Sequence, residues 1–446
     1  MASSSSSSGA SAKGGHVRYE ALLTRELRSG RVVTFAGGDA GALLVSQEFP
    51  TGANFSSRGA TMGYGITKFS LLDVRHNKRI PVHRGQVRDV KFRGDEHGSP
   101  GYMLTTAFDK TLKVCDLRTD SVVIEYRLDG DGWSCQWSAT DTNVMFGGIV
   151  DGSRYAAVQL FDLRSTAGAV RKLRATGGQH QPVHSICHTP ADELVCATVC
   201  GVWGWTGGTK SDSRDWASGT CLGGTGDEGA PAEQLQIQAG ACCSLSCFLE
   251  SSTRTPGASS ARFLVSTRGA SASHAVYTLG GTSSPRGFPS RVATEGQQQL
   301  LQQDAPAGAA AQMGDGSCRE ERPGVVAPGS GDGYEMGRKI ARRTSWAELW
   351  RRGPAVAKGH RSQNTLARSL LWEPAPGAGL LLAGGDERTN QPWIWDATTG
   401  EVHGQLPANK GPVLDVASLQ EPFSNRGLFA AVSQGDVRLY RTLVAD

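Results

Sequence analysis

The chain has 446 residues, and its 46 basic and 42 acidic side chains leave a net charge of +4, too even for a polybasic nucleic-acid coat or an acidic tail protein. Its 58 glycines, about twice the usual ~7 %, follow no Gly-X-Y period, so collagen is excluded and the surplus belongs to turns and linkers. No segment approaches the ~18 consecutive apolar residues that a membrane-spanning helix needs.

Residues 1–30 read as a disordered Ser/Gly-rich tail. Ser3 to Ser8 form an unbroken serine run, and Met1 to Gly15 lacks the apolar core of a secretory leader. The arginines that follow also fit an organellar targeting segment.

From residue 31 to 446 one shape recurs: an alternating strand, a polar turn, a second strand and an Asp. It is found at Lys68 to Asp73 (KFSLLD), Asp109 to Asp116 (DKTLKVCD), Val158 to Asp162 (VQLFD) and Trp393 to Asp396 (WIWD). Asp73 and Asp116 are 43 residues apart, and Asp116 and Asp162 are 46 apart, close to the ~40–45-residue period of WD-type propeller blades. Val202 to Thr206 (VWGWT), His274 to Leu279 (HAVYTL) and Val437 to Tyr440 (VRLY) fit the same cadence, which makes seven blades. Opening strands with a common pattern precede four of them: Val87 to Phe92, Gly132 to Trp137, Val183 to His188 and Val413 to Ser418. The fold expected is an all-β, seven-bladed WD-type β-propeller.

Two inserts interrupt it, residues 207–231 and 280–360. Both are dominated by Gly, Ser, Ala, Gln and Pro, a composition that cannot bury enough apolar surface to offset chain ordering, so both are expected as disordered loops. Within the longer one, Arg338 to Arg352 (RKIARRTSWAELWRR) carries a Ser345-x-x-Glu348 capping box and a Gly353-Pro354 stop, the pattern of a short basic amphipathic helix.

Within a blade, a turn Asp can accept hydrogen bonds from backbone and from a His at the blade start, and His83 with Asp109 is the expected structural pair. One residue beyond each opening position lie Arg88, Trp133, His184 and Leu414. Their mixed chemistry beside apolar neighbours points to a partner-contact rim, since Trp and Arg are enriched at interface hot spots.

Chemistry of other kinds is not in view. Gly224 to Gly229 matches G-x-G-x-x-G but follows no strand and opens no helix, and Asp109-Lys110-Thr111 falls in a blade turn. The ten cysteines contain no Cys-x-x-Cys. Cys196 with Cys200, and Cys242 and Cys243 with Cys247, sit in strand-like runs where small buried apolar residues are the better reading. No catalytic residue, metal site, cofactor or small-molecule substrate is expected.

Gly132 to Trp137 (GWSCQW), the run Val144 to Asp162, Gly384 to Gly400 (GGDERTNQPWIWDATTG) and Gly411 to Val416 (GPVLDV) resemble the propeller of the RING finger and WD repeat ubiquitin ligases of DNA damage repair. The resemblance runs from about Val32 to the end, the inserts excepted. It implies a nuclear substrate- and partner-recognition domain that engages replication protein A and the ubiquitylation machinery at stalled forks and interstrand crosslinks. The family carries a zinc-binding RING and a coiled coil ahead of its propeller, whereas no Cys-x-x-Cys pair or heptad run precedes Arg31, so ubiquitin transfer by this polypeptide alone is not expected. A truncated ligase and a free-standing recognition module both remain open, as does a general WD scaffold in another nuclear assembly.

Overall fold

The computed structural model describes residues 17–37, 41–50, 63–94, 101–152, 154–179, 181–206, 233–235, 241–251, 259–268, 273–279, 350–356, 365–375, 377–420 and 426–444. Every regular element among them is a strand. The first, β1 (Val17–Glu26), stands apart. Blade 1 then follows as β2 (Val33–Ala36), β3 (Ala42–Glu48), β4 (Tyr64–Ser70) and β5 (Asn77–His83). Blade 2 is β6 (Val87–Arg93), β7 (Tyr102–Ala107), β8 (Thr111–Asp116) and β9 (Ser121–Arg127); blade 3 is β10 (Gly132–Trp137), β11 (Val144–Val150), β12 (Tyr155–Asp162) and β13 (Arg171–Gln179). Blade 4 comprises β14 (Ser185–His188), β15 (Glu193–Thr198), β16 (Gly201–Thr206) and β17 (Glu233–Leu235). Blade 5 comprises β18 (Ala241–Ser251), β19 (Ser259–Arg268), β20 (Ser273–Leu279) and β21 (Trp350–Val356). Blade 6 holds β22 (Leu370–Trp372), β23 (Leu381–Asp386), β24 (Gln391–Asp396) and β25 (Val402–Gln405). Blade 7 is built from both ends of the chain: β26 (Asp415–Gln420), β27 (Arg426–Val432) and β28 (Asp436–Val444) are completed by β1, which pairs antiparallel with β28.

This is a seven-bladed, antiparallel β-propeller. Each innermost strand touches the innermost strand of the next blade, from β2 round through β22 to β26 and back to β2. The apolar core is distributed in the same way. Seven clusters of buried side chains each join two adjacent blades, as where Leu104, Tyr126 and Leu128 of blade 2 meet Cys135, Trp137 and Phe161 of blade 3. That explains the sequence pattern. A strand covered by blades on both faces is buried throughout, as β23 is, whereas the outermost β9 alternates between exposed positions and half-buried or buried ones.

Where a repeat closes on Asp, that residue builds the turn to the fourth strand. Asp116 Oδ1 accepts the Arg118 amide at 2.7 Å, Asp162 Oδ1 the Arg164 amide at 2.8 Å, and Asp396 Oδ1 those of Thr398 and Thr399 at 2.7 Å.

Two boundaries and the end of one expected helix differ from expectation. The disordered tail cannot extend to residue 30, because Val17–Glu26 is β1 and closes the ring; residues 1–16 lie outside the described part. The longer insert cannot run to residue 360, because Trp350–Val356 is the fourth strand of blade 5. Trp350 to Arg352 are therefore extended rather than helical, with Gly353 and Pro354 inside the strand, since pairing with β20 supplies the hydrogen bonds that a short isolated helix lacks. Residues 207–231, 280–349 and 357–360 lie outside the described part.

Candidate partner-binding face

Because the strands alternate in direction, the turn between the second and third strands of a blade lies on the same face as the start of its innermost strand. His83, Asp109, Arg88 and Trp133 all sit on that face. His83 ends blade 1, and its Nδ1 lies 3.0 Å from Asp109 Oδ2 in the blade 2 turn. Thr111 Oγ1 donates to Asp109 Oδ1 at 2.7 Å, the Arg84 amide donates to Oδ2 at 2.9 Å, and His83 Nε2 lies 2.9 Å from Thr105 Oγ1. Burial depresses the imidazole, and the Asp109 carboxylate offsets this only in part. Burial works against the Asp109 anion too, but the bonds from His83, Thr111 and the Arg84 amide outweigh it and hold the carboxyl below its ordinary value. Blade 7 makes an analogous tie with an amide: Asn409 Nδ2 and the Lys410 amide donate to Asp436 Oδ1, each at 3.0 Å.

Around the central channel the blades are linked by a girdle of side chains that accept backbone amides from a later blade. Asp89 takes Cys135 N–H at 2.9 Å, Ser185 takes Leu245 N–H at 3.3 Å, Ser244 takes Ser369 N–H at 2.9 Å, and Asp415 takes Val33 N–H at 3.1 Å. Ser134 Oγ donates to the Val183 carbonyl at 2.6 Å, and the neighbouring Gly148 has no room for a side chain: a Cβ there would fall 2.2 Å from Ser134 Oγ and 2.7 Å from the Val183 oxygen.

The residues just before the girdle form the rim. Arg88 and Trp133 are brought together: the Arg88 guanidinium carbon lies 4.6 Å from the Trp133 ring centroid and 4.7 Å from that of Phe108, and the two rings meet edge-on at 5.0 Å. Both Arg88 and Trp133 are half-buried. His184 and Leu414 occupy the equivalent positions but are only 6 % and 4 % exposed, so neither offers a partner a side-chain surface. Position in the repeat places a residue on the rim; the neighbouring blades decide whether it faces solvent. His184 Nδ1 lies 3.0 Å from Ser185 Oγ, and burial lowers its pKa to about 4.

Sequence reasoning missed Arg368. It sits one residue before the girdle in blade 6, yet Nη1 bonds Asp89 Oδ1 of blade 2 at 2.5 Å and lies 3.7 Å from Asp415 Oδ2 of blade 7, while Nη2 donates to the Arg88 carbonyl at 3.3 Å. Its guanidinium thus crosses the channel. Burial opposes both charges of the Arg368–Asp89 pair, but their attraction wins: Arg368 is held above its ordinary pKa and Asp89 below. For Asp415 burial prevails and raises the carboxyl. Ala367-Arg368-Ser369-Leu370 aligns with Val87-Arg88-Asp89-Val90, the one signal that could have exposed it. Beyond Arg368 the channel continues as a cavity of ≈ 230 Å³, lined by Lys91, Gln136, Ser185 and Cys187 among others.

Among the described residues no three His, Cys, Asp or Glu side chains gather as a metal ion would require. Burial pushes the thiols of Cys115, Cys187 and Cys243 up to about 12, which keeps them neutral.

Residues 28–273, which include Arg31, Arg88, Trp133 and His184, match the family model described as the E3 ubiquitin-protein ligase RFWD3 WD40 domain. Among curated proteins, E3 ubiquitin-protein ligase RFWD3 of Homo sapiens is 28 % identical over 174 residues, 39 % of this chain and 20 % of that protein. The Mus musculus protein of the same name is 29 % identical over 154 residues, 34 % of this chain and 18 % of its own length. The Ailuropoda melanoleuca protein is 29 % identical over 143 residues, 32 % and 17 % respectively. The matched segment spans at most a fifth of these relatives' length.

Proposed function

Because the chain belongs to the family of the RFWD3 WD40 domain, we propose that it is a nuclear substrate- and partner-recognition module of ubiquitin-dependent DNA repair, acting at stalled replication forks and interstrand crosslinks with replication protein A as the protein it holds. In this reading the propeller selects and positions the substrate, and ubiquitin transfer is the task of the ubiquitylation machinery it meets.

The observation that carries the reading is the family match across the blades that build the Arg88–Trp133 rim. The physics of the rim supports it. A ring tied blade to blade by seven core clusters and closed by β1 is a stiff platform. The Arg88 side chain is already packed against two aromatic rings that touch each other, so little rotamer freedom remains to be lost on binding.

The test is co-purification of the folded full chain with recombinant replication protein A. Retention of the heterotrimer is expected. A chain that keeps its β-sheet circular dichroism and cooperative melting but does not retain that partner removes the repair assignment.

A further inference from the structure

Three arginines converge on the channel mouth from blades 1, 2 and 6, and their hydrogen bonding is unequal. Arg368 is paired with Asp89 and faces Asp415. Arg31 donates from Nη2 to the Leu366 carbonyl at 2.6 Å. Among the described residues, Arg88 reaches only Gln86 Oε1, at 3.4 Å, and its buried Nε has no partner. The charges feel one another: burial lowers Arg31 to about 10 and Arg88 to about 9, and the positive charge of Arg368 adds to both shifts. The local acids do not balance them. Among the described residues, Asp89 and Asp415 are the carboxylates that line the mouth beside Arg368, and Lys91, 3.9 Å from Asp89, adds a further positive charge on the cavity side. On the rim, Asp109 is engaged by His83, Thr111 and the Arg84 amide, while Arg84, Lys110 and Asp131 are exposed.

A half-buried guanidinium packed on Trp133 and Phe108, its Nη1 held only by a 3.4 Å contact to Gln86 and with surplus positive charge around it, offers the planar terminal nitrogens by which arginine takes a carboxylate. We propose that the Arg88–Arg31 side of the channel mouth is an anion subsite that takes the carboxylate of an aspartate or glutamate in an extended acidic segment of a protein partner. The inference rests on the recognition reading above and gives that face its ligand chemistry.

The experiment is fluorescence anisotropy of the full chain with a short fluorescein-labelled Gly/Ser peptide bearing several glutamates, its glutamine counterpart and its phosphoserine counterpart. The glutamate peptide is expected to bind, its affinity to fall with added salt, and the glutamine peptide not to bind. Arg88→Gln should weaken the glutamate peptide about tenfold or more, Arg88→Lys should restore part of the loss, and Arg127→Gln on the exposed outer strand of blade 2 should change nothing. Equal binding of the glutamate and glutamine peptides, or unchanged affinity in Arg88→Gln, overturns the subsite. Phosphoserine binding more than about tenfold tighter than glutamate overturns the carboxylate assignment. Should Arg88→Gln not fold, the wild-type contrast between the glutamate and glutamine peptides decides. Replication protein A retained equally by Arg88→Gln removes the subsite and leaves the recognition reading standing; a wild type that binds the glutamate peptide but not replication protein A does the reverse.

Discussion

Two polar ties in this ring work over different ranges. His83 and Asp109 are 26 residues apart and knit the end of one blade to the turn between the second and third strands of the next. Arg368 and Asp89 are 279 residues apart and meet across the channel only once seven blades have closed around it. The first tie is partly wet, with Asp109 12 % exposed, and is shared among a histidine, two threonines and a backbone amide. The second places an arginine between two carboxylates that are 2 % and 6 % exposed. A local tie can be lost with local damage, whereas a central charge that loses its partner leaves buried carboxylates uncompensated.

Substitutions should therefore rank by how much unpaired charge they leave. Arg368→Ala should have the largest effect, about 3–5 kcal/mol in urea unfolding, because Asp89 and Asp415 are left buried without their cation. A loss under about 1 kcal/mol would show the cross-channel contact to be dispensable.

The two carboxylates should then separate. Asp89→Asn strips Arg368 of its paired anion and should cost about 2–4 kcal/mol. Asp415→Asn should be nearly neutral. Burial already raises that carboxyl, and an amide oxygen can still accept the Val33 N–H. Equal costs for the two would contradict the unequal pairing read from the 2.5 and 3.7 Å distances.

The smallest effect is a pH dependence. His83 is depressed in the folded state, so the unfolded chain binds its proton first; the stability it supplies is complete above the unfolded value near ~6.5 and is lost as pH falls below it. Asp109 is also depressed, and its contribution is lost only at lower pH, as the pH falls below the ordinary carboxylate value near ~3.9. His83→Asn, which copies the side chain that blade 7 uses at Asn409, should flatten the stability profile just below about pH 6.5 and leave the steeper acid limb in place. An unchanged profile would place the titrating group elsewhere.

What could be read from the sequence follows from the same difference in range. The repeated Asp at 73, 116, 162 and 396 builds a turn within a few residues of itself, so the blade count is legible, and the period carries it to blades whose closing residue is aromatic. Contacts within one period, such as His83 with Asp109, can be anticipated from register. Arg368 cannot, because its partners are set by closure of the whole ring. Burial is equally non-local: Arg88, Trp133, His184 and Leu414 share a repeat position, yet neighbouring blades bury the last two and leave the first two half-open. The segment around Ser345 to Arg352 has helix-start chemistry, but Trp350–Val356 is taken into blade 5 because β20 would otherwise keep an unpaired edge. β1 carries no repeat signature because it belongs to a blade whose other strands lie at the opposite end of the chain.

The proposed role needs a rigid ring that can hold a protein partner at the Arg88–Trp133 rim. Isothermal titration of recombinant replication protein A into the full chain, wild type and Trp133→Ala with Arg88→Gln, tests this directly. Measurable binding to the wild type is expected, with a loss of about tenfold or more in the double variant and cooperative melting preserved. Identical affinities for the two folded proteins would contradict that role.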